Sequence, residues 1–225
     1  MSYQLAKGGA AHLLAGVALL VPGAGLLAYG FPIAGGLLLV VFALYMAFML
    51  YFFRDPDRAA PTDPSIIVSG ADGWIRSVER IDDPPHFGRP SVRVSTYLTP
   101  WDVHVNRIPV GGKVVKLAYT PGKHILTRNP QSSEVNEHST ILLEGGPVAC
   151  MIRQIVGPLV RRVVYWLDEG QELAAGDRFG IMKFGSRLDV YLPVDRVEVT
   201  VKAGDRVFAG ITPIARIVSK EGHGA

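Results

Sequence analysis

The sequence predicts a mainly β protein, a β-sandwich or barrel-sandwich-like domain carried behind an N-terminal two-helix transmembrane hairpin. Three observations lead there. No charged residue occurs from Gly8 through Phe53. Beyond Arg58 the chain breaks into short runs of alternating apolar and polar residues separated by turn signals. Between these regions, Pro56, Pro61 and Pro64 make a short, stiff linker. Residues 1–60 are therefore read as an anchoring hairpin with its linker, and residues 61–225 as the working domain.

Composition narrows the classes. Hydrophobic residues make up 48% and charged ones only 19% of 225 residues, an excess of apolar character confined to one end. The net charge of +3 is mild, and no Lys or Arg block resembles a nucleic-acid-binding tail. Cys150 is the only cysteine, so no disulfide framework and no cysteine-based zinc site is expected.

A bilayer core takes about 20 apolar residues per helical pass, so the uncharged stretch holds two. The break falls at Tyr29-Gly30-Phe31-Pro32, with passes near Leu13–Tyr29 and Ile33–Phe53. Lys7 precedes the first pass, and Arg54 and Arg58 follow the second. Both ends, and the domain after them, are thus assigned to the cytoplasmic side of the inner membrane. A signal peptide explains the first segment but not the second, and a buried helical hairpin of a soluble protein satisfies the same pattern.

In the second region, strands are expected at Ser91–Leu98, Asp102–Ile108, Lys113–Tyr119, Arg178–Phe184, Ser186–Leu192 and Arg196–Val201. Met151–Leu167, interrupted by Gly157-Pro158, reads as helix or strand. Ala175-Gly-Asp-Arg178 recurs as Ala203-Gly-Asp-Arg206, each before a strand-like run. The Lys202–Gly210 turn looks like the hairpins of biotinyl- and lipoyl-type domains.

Candidate chemistry centres on Gly185-Ser186. Gly185 accepts backbone geometries closed to other residues, and a serine hydroxyl just after a carbonyl is placed to attack it. A glycine bulge inside a β-hairpin accounts for the same two residues. In Asp102–Ile108, strand periodicity puts Asp102, His104 and Asn106 on one face. Histidine has a reference pKa near neutrality, and His104 is the side chain best placed for proton transfer. Asp72 lies in the Ser69-Gly-Ala-Asp-Gly73 turn, and Asn136-Glu137-His138 follows a loop. His124 and His138 are read as exposed and given no role. Arg153, Arg161 and Arg162 are expected to face lipid headgroups or solvent. No Gly-rich phosphate loop, paired-histidine metal motif or nucleophile elbow occurs, so no metal is expected.

Taken in order, the apolar N-terminus, Phe53–Arg58, Ala71–Gly73, Tyr97–Pro109, Asn136-Glu137 and Asp177–Pro193 resemble the phosphatidylserine decarboxylases in their short bacterial and archaeal form. The resemblance implies a proenzyme that cuts itself between Gly185 and Ser186. It would give a β chain ending at residue 185 and an α chain of residues 186–225, associated as a heterodimer. Ser186 would become a covalent pyruvoyl group, the only cofactor, which forms a Schiff base with phosphatidylserine and yields phosphatidylethanolamine. Asp72 matches the family's processing aspartate, and His104 matches a family histidine. Longer relatives carry a second histidine three positions on, where this chain has Arg107, which cannot serve as a base at neutral pH. The implied partners are the membrane and the lipid substrate, with no nucleic acid and with higher homo-oligomers left open. Two other readings stay beside it: the same chemistry on an ether-linked archaeal phosphoserine lipid, and a non-catalytic membrane-tethered adaptor.

Overall fold

Gly185-Ser186 turns out to join two sheets rather than the arms of one hairpin. The computed structural model describes residues 4–158, 163–182 and 185–218, except for the side chain of Leu19. They fall into two units, Met1–Asp57 and Arg58–Ala225.

The first unit is a helical hairpin of α1 (Gly9–Ala28) and α2 (Pro32–Phe52), long and apolar enough to cross a membrane. Each helix rises about 30 Å, the thickness of a hydrocarbon core. Pro32 opens α2, where its missing N–H costs nothing. Small residues let the helices approach closely: a Cβ on Gly35 would lie 2.8 Å from the Gly23 carbonyl. The Tyr45 hydroxyl donates to the His12 carbonyl at 3.0 Å.

The second unit is mainly β. Its elements are β1 (Ile66–Val68), β2 (Gly73–Ile81), β3 (Ser91–Tyr97), β4 (Val105–Arg107), β5 (Gly112–Thr120), a helical turn α3 (Ser132–Val135), β6 (His138–Glu144) and β7 (Cys150–Ile155). There follow β8 (Val163–Tyr165), β9 (Glu172–Leu173), β10 (Arg178–Met182), β11 (Arg187–Pro193), β12 (Val197–Val199), β13 (Arg206–Val207) and β14 (Pro213–Ile217). Eight strands form one sheet in the order β13-β2-β3-β11-β7-β6-β5-β9, and two three-stranded sheets run β1-β14-β12 and β4-β10-β8. One apolar core serves all three: Leu188, Val190 and Leu192 of β11 lie with Ile67, Phe179 and Ile214.

Hence β10 and β11 do not pair. β10 lies between β4 and β8, whereas β11 lies centrally between β3 and β7 in the eight-stranded sheet. A hairpin bulge at Gly185-Ser186 is ruled out by this pairing. Residues 183 and 184, the expected end of the Arg178–Phe184 strand, lie outside the described residues, as do Arg161 and Arg162.

The expected strand Asp102–Ile108 shrinks to β4. Residues 99–102 close into a turn because the Asp102 carboxylate accepts from the Thr99 amide (2.6 Å) and hydroxyl (2.8 Å), an alternative to strand pairing. Strands flank Gly157-Pro158, as one of the two readings of Met151–Leu167 has it. The Ala-Gly-Asp-Arg echo is a repeated turn: Asp177 accepts from the Ala174 amide at 2.8 Å and Asp205 from the Lys202 amide at 2.9 Å. Arg153 does not face headgroups or solvent. It is 5% exposed, donates to the Pro85 carbonyl at 3.0 Å and lies over the Tyr191 ring.

Candidate active site

Gly185 adopts φ +71°, a region that favours glycine, so its carbonyl takes a direction other residues reach only with strain. That carbonyl accepts a hydrogen bond from the Thr127 hydroxyl at 2.9 Å. Gly157 forms the wall on another side: a Cβ there would stand 2.3 Å from the Gly185 oxygen, so only glycine fits. Ser186 is fully buried, and its own carbonyl accepts the Leu98 amide at 3.0 Å. The peptide bond between them is therefore held from both ends, at the head of the central strand.

Thr127 sits on a loop that the sequence leaves without a role. Asn136 clamps that loop. Its amide nitrogen donates to the Ile125 and Val156 carbonyls, both at 2.8 Å, and its oxygen accepts the Ile125 amide at 3.1 Å. Val156 precedes Gly157, so one asparagine ties both walls of the Gly185 carbonyl together. Such satisfied buried networks hold a unique geometry.

His104 is fully buried just before β4. Its backbone carbonyl accepts the Met182 amide at 3.1 Å, tying it to the end of β10. The ring Nδ1 lies 2.8 Å from the Asp102 carbonyl, an acceptor, so Nδ1 carries the hydrogen and leaves Nε2 as the nitrogen able to exchange a proton. Asn106 is buried with it, accepting from the Gln154 amide at 2.8 Å. The Asp102 carboxyl is pushed up by burial, but hydrogen bonds from Arg206 and Thr99 outweigh that and hold it below the usual carboxylate range. Asp102 thus closes the turn with its carboxylate and holds the His104 ring with its backbone carbonyl.

Asp72 is 2% exposed and faces a cation. Arg58 grips it with two hydrogen bonds, 2.5 and 2.8 Å, and the Ala209 amide adds a third at 2.8 Å. The bidentate fork fixes the 69–72 turn. Gly70 in that turn accepts the Arg107 amide at 2.9 Å, three residues from His104. Arg107 itself is buried, and its guanidinium donates to the Gly176 carbonyl at 3.0 Å.

A cleft of about 360 Å³ opens on Gly185, lined by Tyr97, Leu126, Thr127, Arg128 and Pro158 among others. Its walls are chiefly apolar, with the Arg128 guanidinium set 5.3 Å over the Tyr97 ring. Among the described residues, no group of three or more His, Cys, Asp or Glu side chains could hold a metal. Cys150, fully buried in the core, has its thiol pushed well up by desolvation, which leaves it a packing residue.

Comparison with known proteins decides the family. The model of the phosphatidylserine decarboxylase family matches residues 45–215. A phosphatidylserine decarboxylase proenzyme of Desulfotalea psychrophila is 40% identical over 185 residues, 81% of this chain and 85% of that protein. One from Pelobacter propionicus is 43% identical over 178 residues, 79% of this chain and 80% of that protein. The chain belongs to the phosphatidylserine decarboxylase family.

Within this member of the family, sequence reasoning missed Thr127 and the wall made by Gly157. Gly157-Pro158 was legible only as an interruption of an apolar run, and nothing in the loop around Thr127 marks a hydroxyl aimed at a distant carbonyl. Of the two histidines read as exposed, His138 is buried and His124 is half-buried. His138 is 6% exposed, its Nδ1 donates to the Asn136 carbonyl at 2.7 Å, and burial pushes its pKa below the ordinary value. His124 lies 2.8 Å from Glu137.

Proposed function

We propose that the protein decarboxylates phosphatidylserine to phosphatidylethanolamine with a pyruvoyl group that it makes from Ser186 by cutting itself after Gly185. One observation carries the reading. A positive-φ glycine points its carbonyl at a hydroxyl donor, directly before a buried serine and facing an apolar cleft.

The self-cleavage follows from these groups. The Ser186 Oγ attacks the Gly185 carbonyl carbon, and Thr127 donates to the oxygen as negative charge gathers there. The C–N bond breaks and the Ser186 nitrogen takes the proton from Oγ, leaving an ester. Loss of the Ser186 α-proton then expels Gly185 as a carboxylate, and water replaces the nitrogen of the former serine, which leaves as ammonia. His104 is the base we assign, since its Nε2 is able to exchange a proton and Arg107 stands where longer relatives have a second histidine. Asp72 is assigned a positioning role, because its fork with Arg58 fixes the turn against which the Arg107 backbone rests.

The pyruvoyl group supplies an electrophilic carbonyl for the substrate amine and a sink for the electron pair released with CO2. The residues present fit it. The Leu98 amide would keep the group's acyl oxygen in place after the cut, and the cleft leaves Gly185 room to withdraw. Arg128 offers a cation to the anionic headgroup, the apolar walls strip water from its carboxylate, and His104 returns the proton that replaces CO2. The two apolar helices suit a membrane anchor, and Lys7 and Arg54 at their ends favour the cytoplasmic side.

Incubating the purified chain with carboxyl-labelled phosphatidylserine, and with an ether-linked phosphoserine lipid in parallel, tests the activity. Labelled CO2 is the expected product, and its absence with both lipids from self-cleaved protein would remove the proposal. Thr127→Val is expected to slow self-cleavage by about 10²-fold, the usual cost of deleting one oxyanion donor. A pulse–chase gel reads the rate, and unchanged conversion would mean the hydroxyl only fills space.

A further inference from the structure

The exposed apolar residues of the second unit are not scattered. Seven large hydrophobic side chains are exposed among its described residues, and four of them form a partial ring that starts at the cleft: Leu126 (67%) lines it, Trp74 (47%) lines the neighbouring cleft, and Phe208 (43%) and Trp101 (64%) follow through Arg206. We infer that this ring, with Arg76, Arg128 and Arg206 set among it, is a docking face that seats the cleft mouth in the headgroup layer of an anionic bilayer. The inference rests on the lipid-substrate reading above.

Shared linings, strand pairing and stacked rings link its members. Leu126 and Arg128 line the cleft at Gly185. Tyr97 and Arg128 also line a second cleft of about 560 Å³, shared with Trp74 and Arg76. Trp74 stands across from Tyr97 on β3 and from Arg206 on β13. The Arg206 guanidinium lies 5.4 Å over the Trp74 ring and 5.2 Å over that of Phe208, and it pairs with Asp102, the neighbour of Trp101. A stack of cation on two aromatic rings keeps its apolar edges outward and its charge fixed among them.

Both composition and task select a lipid surface as the occupant. Tryptophan and arginine side chains combine an apolar body with a polar end, which suits the boundary between acyl chains and headgroups. The charges are complementary to anionic lipid. Asp102 is paired with Arg206, which leaves the exposed Arg76 and Arg128 as positive charge beside the aromatic rings. A diacyl substrate must reach Gly185 with its headgroup while its chains stay in an apolar phase. That requires the cleft mouth itself to touch the bilayer, and exposed apolar patches of this kind mark interaction surfaces.

The chain has three tryptophans, Trp74, Trp101 and Trp166, none of them in the helical hairpin. Single-tryptophan versions of the full chain, made by Trp→Phe changes, are reconstituted in vesicles of phosphatidylcholine and phosphatidylglycerol carrying a headgroup nitroxide lipid. Trp74 and Trp101 are expected to be quenched at least about twofold more strongly than Trp166, as interfacial aromatic rings are. Equal quenching of all three overturns the docking face. In Trp74→Ser/Trp101→Ser, self-cleavage to two chains shows that the fold is intact. Its apparent KM for vesicular phosphatidylserine is expected to rise on the order of tenfold with loss of the interfacial anchors, while kcat/KM on monomeric short-chain phosphatidylserine holds. An unchanged vesicular KM also overturns the face. If the unaltered, self-cleaved protein releases no CO2 from phosphatidylserine in either form, the decarboxylase reading fails instead, and the quenching still decides the docking face.

Discussion

Ser186→Ala is expected to remain a single chain of 24.3 kDa and to lose decarboxylation entirely. The unaltered protein should yield Met1–Gly185 and a second chain blocked at its N-terminus. The hydroxyl is the only group of this side chain that can attack the Gly185 carbonyl, and in the proposed reaction the cofactor is assembled from that same residue. No neighbouring residue can therefore compensate. Ser186 is fully buried, so alanine removes one oxygen without crowding, and the fold should survive. Ser186→Cys separates chemistry from folding, because a thiol can make the same acyl transfer and should restore some cleavage. Intact mass spectrometry of the three proteins, with borohydride reduction to trap a reactive carbonyl, reads the result. Cleavage in the alanine variant, or decarboxylation by an uncut chain, would sink the assignment.

Asp189→Ala is expected to be the most damaging substitution to stability. Arg187 and Asp189 form an ion pair at 2.7 Å with side chains 1% and 0% exposed. The Arg187 guanidinium also donates to the Ser95 hydroxyl at 2.6 Å, and the Ser133 hydroxyl donates to Asp189 at 2.5 Å. Removing the carboxylate strands a buried guanidinium, which typically costs about 3–5 kcal/mol, against a total stability of about 5–15 kcal/mol for a domain. A drop in Tm on the order of 10 °C follows for a unit of this size. Replacing both partners, as in Arg187→Met/Asp189→Leu, removes the stranded charge and should recover most of the loss. If the double variant is as unstable as the single one, the pair is not the cause. The pair also bears on the proposed self-cleavage. Ser95 and Ser133 lie before the proposed cut and Arg187 and Asp189 after it, so these bonds would hold the two resulting chains together.

The mainly β domain and the helical hairpin were legible in the sequence because each has a local signal. An uncharged stretch of helix-spanning length cannot hide, and Gly30 with Pro32 marks its turn. Strands such as Ser91–Tyr97 and Gly112–Thr120 show their alternation in a single window. Gly185-Ser186 was legible for a different reason: its residue types admit a chemistry that few other dipeptides do. The hairpin at Lys202–Gly210, by contrast, suggested a biotinyl-like module, whereas it adds its short strand β13 to the edge of the sheet beside β2.

By itself the sequence determined which residues are candidates for chemistry and which segments are long and apolar enough to cross a membrane. It did not determine what faces them. Thr127 meets the Gly185 carbonyl across 58 positions, and Arg58 meets Asp72 only because the linker folds back onto the 69–72 turn. Asp102 closes a turn instead of extending a strand because its carboxylate finds Thr99 before any partner strand finds its backbone. The two strands flanking the proposed cut look like one hairpin in sequence, yet join different sheets because β3 and β7 occupy both edges of β11. Local periodicity records burial and turn chemistry. Partnership between distant groups is fixed by which strands share a sheet, and only the tertiary structure decides that.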